Sequence, residues 1–312
     1  VDSLDDVAVT DVPVEDSTDS TEEGRFDDAD GSGTEIDTTG EPGWELAEWG
    51  PTEGFRQRQA DFLKHCADAA APPSTSLYGQ TCRIVNGDTT YSDAAFEPAF
   101  TKIGERKDTA DFSATALVRM LYLDRVHKKL PDALHKQIED ALLGFRYWFT
   151  EPGNDKMCYW TENHQILFHS SELLMGQLYS DVVFSNSGMT GTEHQAHAEP
   201  YVLRWLNERA TFGFSEWHSN VYFNEDIPAL LNLIDFADNP KIRQQAEIVL
   251  DIMFMDIMFN TYKGLFATTH GRTYSGHFLN GLSDSTDAAA WIALGVGEET
   301  NLGNFSGVHL AT

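Results

Sequence analysis

From Gly43 onward, apolar residues recur three and four positions apart, the period of a helix with one buried face. Residues 54–70 read as one such helix, stopped by Pro72-Pro73, whose missing N–H groups cannot continue the ladder. Residues 74–107, interrupted by Gly79, Gly87 and Gly104, read as irregular. Asp108-Thr109 can cap a helix reaching about Lys128, with Phe112, Ala116, Leu117, Met120 and Leu121 as its stripe. Pro131 opens the next, with Leu134, Ile138, Ala141, Leu142 and Phe145 on its inner face. After the turn Glu151-Pro152-Gly153-Asn154-Asp155, a helix is predicted from Thr161 or Asn163 to about Tyr179, and another over 195–211. Asp226-Ile227-Pro228 puts proline in the first turn of a helix ending near Asp238, where Asn239-Pro240 breaks it. Helices over 241–260 and 283–295 follow, and only 261–280 has short-strand or irregular character.

Helices joined by short turns make antiparallel hairpins, so the expected fold is mainly all-α. Tyr159-Trp160-Thr161-Glu162-Asn163-His164 precedes one helix and Phe214-Ser215-Glu216-Trp217-His218-Ser219-Asn220 precedes another, the two histidines lying 54 positions apart. Loosely similar segments at corresponding helix starts suggest a repeat. The expectation is an (α/α) toroid of helical hairpins over 43–312, complete or incomplete, with the helix starts on one rim.

Charge changes the picture. The 312 residues hold 50 Asp and Glu against 21 Lys and Arg, a net charge of −29. Residues 1–42 contribute −14 of it, with almost no large apolar residues, which predicts a disordered acidic tail, either a spacer from a cell surface or a solubilising arm. The other 270 residues still carry −15. Such a surface repels nucleic acid and anionic membranes, and its self-repulsion is screened in high salt. A salt-adapted, secreted or cell-surface protein is therefore expected. No run has the length of a membrane-spanning helix. Cys66, Cys82 and Cys158 allow one bridge at most and lack zinc-ligand spacing.

Three polar clusters carry the candidate chemistry. The first is Trp160, Glu162, Asn163 and His164, followed by His169 and Glu172. Asn163 can equally be a helix cap, Glu162 a partner of the helix dipole, and His164 a satisfied core histidine. The second is Glu216, Trp217, His218, Asn220, Tyr222, Asn224, Glu225 and Asp226, rich in groups that bind sugar hydroxyls, with Trp217 able to stack on a sugar face. A polar loop capped at Asp226 is the plainer alternative. The third runs from Thr268 to His277 and includes His270, Arg272 and Tyr274. An Arg beside a Tyr lowers the cost of phenolate and suits the Tyr to proton transfer, although Arg272 can simply pair with a carboxylate. A metal site from His164, Glu216, His218 and His270 lacks a tight ligand spacing, so no metal or cofactor is expected.

The segment from Glu216 to Tyr274 resembles the catalytic half of the α-toroid polysaccharide lyases, the alginate-lyase and heparinase-like group. The resemblance implies that His218 and Asn220 form the Asn/His element, with Asn163-His164 as the alternative, and that Arg272 and Tyr274 form the Arg/Tyr element. It implies β-elimination beside a uronic acid in a polysaccharide substrate, with Trp160, Glu162, Asn163, His164, Glu216, Trp217, Tyr222 and His270 lining the substrate. A full toroid with that group's β-sandwich needs more chain than these 312 residues, so a piece of a longer protein is expected. The alternatives are a glycoside hydrolase using two of Glu162, Glu216 and Asp226, and a noncatalytic glycan-binding surface protein.

Overall fold

A computed structural model describes residues 53–68, 76–281, 284–297 and 304–312. The acidic segment 1–42 and Pro72-Pro73 lie outside them. The described part is mainly helical. Its helices are α1 (Glu53–Cys66), α2 (Leu77–Asn86), α3 (Asp93–Gly104), α4 (Ala110–His127), α5 (Asp132–Leu143), α6 (Glu162–Leu178), α7 (Gly191–Phe212), α8 (Phe223–Phe236), α9 (Pro240–Asn260), α10 (Ser275–Leu279), α11 (Asp287–Leu294) and α12 (Phe305–Ala311). The antiparallel strands β1 (Thr261–Tyr262) and β2 (Leu265–Phe266) fall within the stretch read as short strand or irregular.

The largest departure from the sequence is α2 and α3, which occupy the stretch expected to be irregular. The glycines there mostly end helices. Gly87, at φ +90°, donates its N–H to the last turn of α2, and Gly104 is the final residue of α3. Helix boundaries also moved. Thr109 stands at the start of α4 without capping it, and its hydroxyl accepts from Lys102 instead, at 2.9 Å. Helix α7 starts at Gly191, behind a capping box in which Thr190 and Glu193 satisfy each other's backbone N–H. Helix α8 starts at Phe223, so Pro228 and Asp226 lie inside it and Asp226 is no cap.

Helix α2 packs on α4, α4 on α6, α6 on α8, α8 on α12, and α12 back on α2. Helices α4, α6 and α8 are buried on nearly every side, whereas α5, α7 and α9 bury one face. Arg119, 2% exposed, ties three of the inner helices together: its guanidinium donates to Asn232 of α8, to the His309 carbonyl of α12 and to Thr312, and pairs with Asp235 at 2.8 Å. Helix α12, absent from the sequence expectations, seats so closely that a Cβ on Gly307 would stand 2.8 Å from Phe62 and Ala288. A disulfide joins Cys66 of α1 to Cys82 of α2.

Candidate active site

The starts of the inner helices meet at one end of the bundle. Tyr78 of α2 donates to the Phe112 carbonyl of α4 at 2.9 Å and stacks on Phe305 of α12. Phe112 stacks on His164 of α6, and the Ser306 hydroxyl of α12 donates to Asn224 of α8 at 3.0 Å. Helix N-termini present unpaired N–H groups and partial positive charge, so this end favours anions. Asp111, Glu162, Glu216, Glu225 and Asp226 all lie here.

Glu162 fastens the first cluster to the second. Its Oε2 accepts from the Ser215 N–H and hydroxyl, each at 2.7 Å, and pairs with Arg209 of α7, while Oε1 takes the Glu216 N–H. That carboxylate is 1% exposed, so it holds the loop. Asn163 is not the cap. Thr161 precedes the helix, the Asn163 backbone N–H donates to Glu216 Oε2, and its buried Nδ2 has no hydrogen-bond partner. His164 Nδ1 lies 2.6 Å from Asp111 Oδ2. Burial disfavours the imidazolium, but the hydrogen bond and charge of Asp111 outweigh it, and the pKa stays above the usual histidine range.

The third cluster closes on the second. The Gly271 N–H donates to the Trp217 carbonyl at 2.8 Å, and a Cβ on Gly271 would crowd Trp217 at 3.1–3.3 Å. Ser219 donates to the Arg272 carbonyl, and His270 Nδ1 lies 2.5 Å from the His218 carbonyl oxygen. His270 thereby secures backbone. His218 sits at φ +48°, a left-handed conformation uncommon outside glycine, stacked on the half-exposed Trp217, with Nε2 3.8 Å from Asp256. No hydrogen bond or ring contact joins His218 to Arg272 or Tyr274.

Arg272 links the neighbouring side chains. Nη1 lies 3.7 Å from Glu216 Oε1, Nη2 donates to the Tyr222 hydroxyl at 2.8 Å, and the guanidinium covers the Tyr222 ring. The Tyr222 and Tyr274 hydroxyls are 2.7 Å apart. Burial and the hydrogen bond to Tyr274 push the Tyr222 phenol up. Hydrogen bonds from Tyr222 and Arg272, with the Arg272 charge, pull the half-exposed Tyr274 below the usual phenol range. Of the two phenols, Tyr222 holds its proton the more tightly and Tyr274 gives its proton up the more readily.

Behind this surface the carboxylates are dense. Burial, then Glu162, raises the Glu216 pKa, with the Asn163 N–H, Arg272 and His164 pulling it back. Asp226 is fully buried, neither of its carboxylate oxygens has a hydrogen bond, and burial with repulsion from Glu162 and Glu216 raises it far above the carboxylate range. Glu225 is raised likewise by burial and then Asp111. Asn220, 2% exposed, leaves Oδ1 unbonded.

Trp160, three-quarters exposed, faces a neighbouring groove of about 540 Å³ whose walls are Trp148, Phe149, Tyr159, Tyr201 and Trp205. Trp205 Nε1 donates to the Glu162 carbonyl, so groove and helix end share a wall. Asp111 and Arg209 went unnoticed in the sequence because each reads locally as a helix-surface charge. Comparison with family models, curated proteins and solved structures finds no match for this chain.

Proposed function

We propose that the protein is a polysaccharide lyase that cleaves a uronate-containing polymer by β-elimination. The observation that carries this reading is the array Arg272–Tyr222–Tyr274 beside Glu216 and Asn163-His164. The half-exposed Arg272 binds the uronate carboxylate, and neutralising it acidifies the proton at C5. The Tyr274 phenolate, held by Tyr222 and Arg272, takes that proton. The electron pair forms the C4–C5 double bond, the C4–O bond breaks, and Tyr274 returns the proton to the leaving oxygen. Asn163-His164 fills the Asn/His element better than His218 and Asn220, because the Asn163 N–H and Arg272 meet on one carboxylate, Glu216.

The closed succession α2–α4–α6–α8–α12, covered by other helices, supports an (α/α) toroid. The hydrolase alternative is weaker. Glu162 is bonded to Arg209 and Ser215, and Asp226 is sealed inside, so this trio supplies no pair of accessible facing carboxylates. The aromatic groove beside Trp160 gives sugar rings a stacking surface. That groove, with His218 unpaired to Tyr274, also favours a second reading, a noncatalytic glycan-binding protein. A charge of −29 and a disulfide fit a secreted, salt-adapted protein.

The test is incubation with uronate polymers in high salt while following both ultraviolet absorbance and reducing ends. A lyase raises both, because its product carries a conjugated double bond. Reducing ends without absorbance would mean hydrolysis, and polymer binding without either would mean a binding protein.

A further inference from the structure

The sequence predicts no metal, yet the two helices beside the aromatic groove place a ligand set together. His169 and Glu172 are three residues apart on α6, and His194 and His197 are three apart on α7, so each pair lies on one helix face. These faces meet. Glu172 Oε1 lies 2.8 Å from His194 Nδ1 and 2.9 Å from His197 Nδ1. Glu151, from the loop before α6, brings a second carboxylate, and ligand atoms of Glu151, Glu172 and His194 all lie within 4.8 Å of one another.

We propose that Glu151, Glu172 and His194, completed by His197, bind one divalent cation of the zinc class. Ligand atoms sharing a metal at roughly 2.0–2.2 Å stand about 3.4 Å apart; those of Glu151, Glu172 and His194 are already within 4.8 Å of one another, and His197 reaches the set through Glu172. Three observations point to a cation. Glu172 is 1% and Glu151 9% exposed; Glu172 is met by histidines, Glu151 accepts from the Tyr147 and Trp148 N–H groups and the Asn186 amide, and among the described residues no Lys or Arg pairs with either carboxylate. His169, 3% exposed, makes no hydrogen bond through either ring nitrogen and directs Nδ1 at Glu172 Oε2 from 3.6 Å. His194 Nε2 is 2.7 Å from the Ser187 hydroxyl, the outer contact that orients a metal-binding imidazole through its second nitrogen. A cavity of about 170 Å³ lined by Glu151, Glu172, Ser187 and His197 gives the ion access. Imidazole with carboxylate, without thiolate, suits zinc and its neighbours over calcium or magnesium. The ion would brace α6, α7 and the loop that carries Trp148 and Phe149 of the groove wall.

The full chain, stripped with chelator, is titrated with Zn²⁺ in high salt and excess Mg²⁺, which saturates nonspecific acidic sites, and with Co²⁺ followed by visible absorbance. The expected result is one equivalent of Zn²⁺, a Co²⁺ band of low coordination number, and a raised Tm. Glu151→Gln and His197→Ala should each weaken Zn²⁺ at least about 100-fold, and Ser187→Ala roughly 10–100-fold. The His197 side chain is 28% exposed, so His197→Ala decides if Glu151→Gln does not fold. Weak multi-equivalent binding that Mg²⁺ displaces, or wild-type affinity in His197→Ala, overturns the proposal.

Discussion

The Tyr222 and Tyr274 hydroxyls lie 2.7 Å apart, and Arg272 donates to the first of them. The hydrogen bond from Tyr222 is the largest influence lowering the Tyr274 pKa. If Tyr274 acts as phenolate, activity rises with pH as it ionises. Tyr222→Phe removes the donor, so the rising limb of the pH–rate profile should move to higher pH while the aromatic packing stays. A profile unchanged in that variant would separate Tyr222 from the reaction.

Glu162→Ala should destabilise the protein by about 3–5 kcal/mol, because it strands Arg209 and frees the Ser215–Glu216 loop. Urea unfolding measures the cost. A change under 1 kcal/mol, the scale of a surface ion pair, would contradict the bracket assigned to this carboxylate.

Asp226 gives a pH signature. Its folded pKa is raised, so the folded state holds a proton that the unfolded state releases near 3.8. Stability from this group is full below that value and is lost as pH rises toward the folded pKa. Asp226→Asn removes the titration. Its stability advantage over wild type should be small at pH 4 and grow by pH 8, toward roughly 1–3 kcal/mol. Thermal melts across pH would show it, and an advantage independent of pH would not fit.

The gathering of polar groups at helix starts was readable from residues 159–164 and 214–220, since aromatic, Glu, His and Asn recur at the start of α6 and just before α8. The helical core of α4, α6 and α9 was legible from apolar spacing. Helices α2 and α12 were not, because both are short and buried, and their polar residues Gln80, Asn304 and Ser306 look like loop until their partners are known. Asn163 could be read as a cap or as a ligand because both use the same side chain; the start of α6 at Glu162 removes the cap reading. The spacings His169-x-x-Glu172 and His194-x-x-His197 were visible in the sequence, but their convergence depends on how α6 meets α7.

Net charge bears on stability as well. A body carrying −15 beyond the first 42 residues should gain Tm steadily from dilute buffer to molar salt as repulsion is screened. Differential scanning calorimetry across salt concentration tests it, and a flat Tm would remove the case for salt adaptation.

The most direct measurement compares wild type with Tyr274→Phe on a uronate polymer, in high salt, by ultraviolet absorbance. Tyr274 is half exposed, so the substitution should leave the fold intact. The account predicts an unsaturated product from wild type and a rate at least about 100-fold lower in the variant, with circular dichroism unchanged. Equal rates in the two proteins would contradict it.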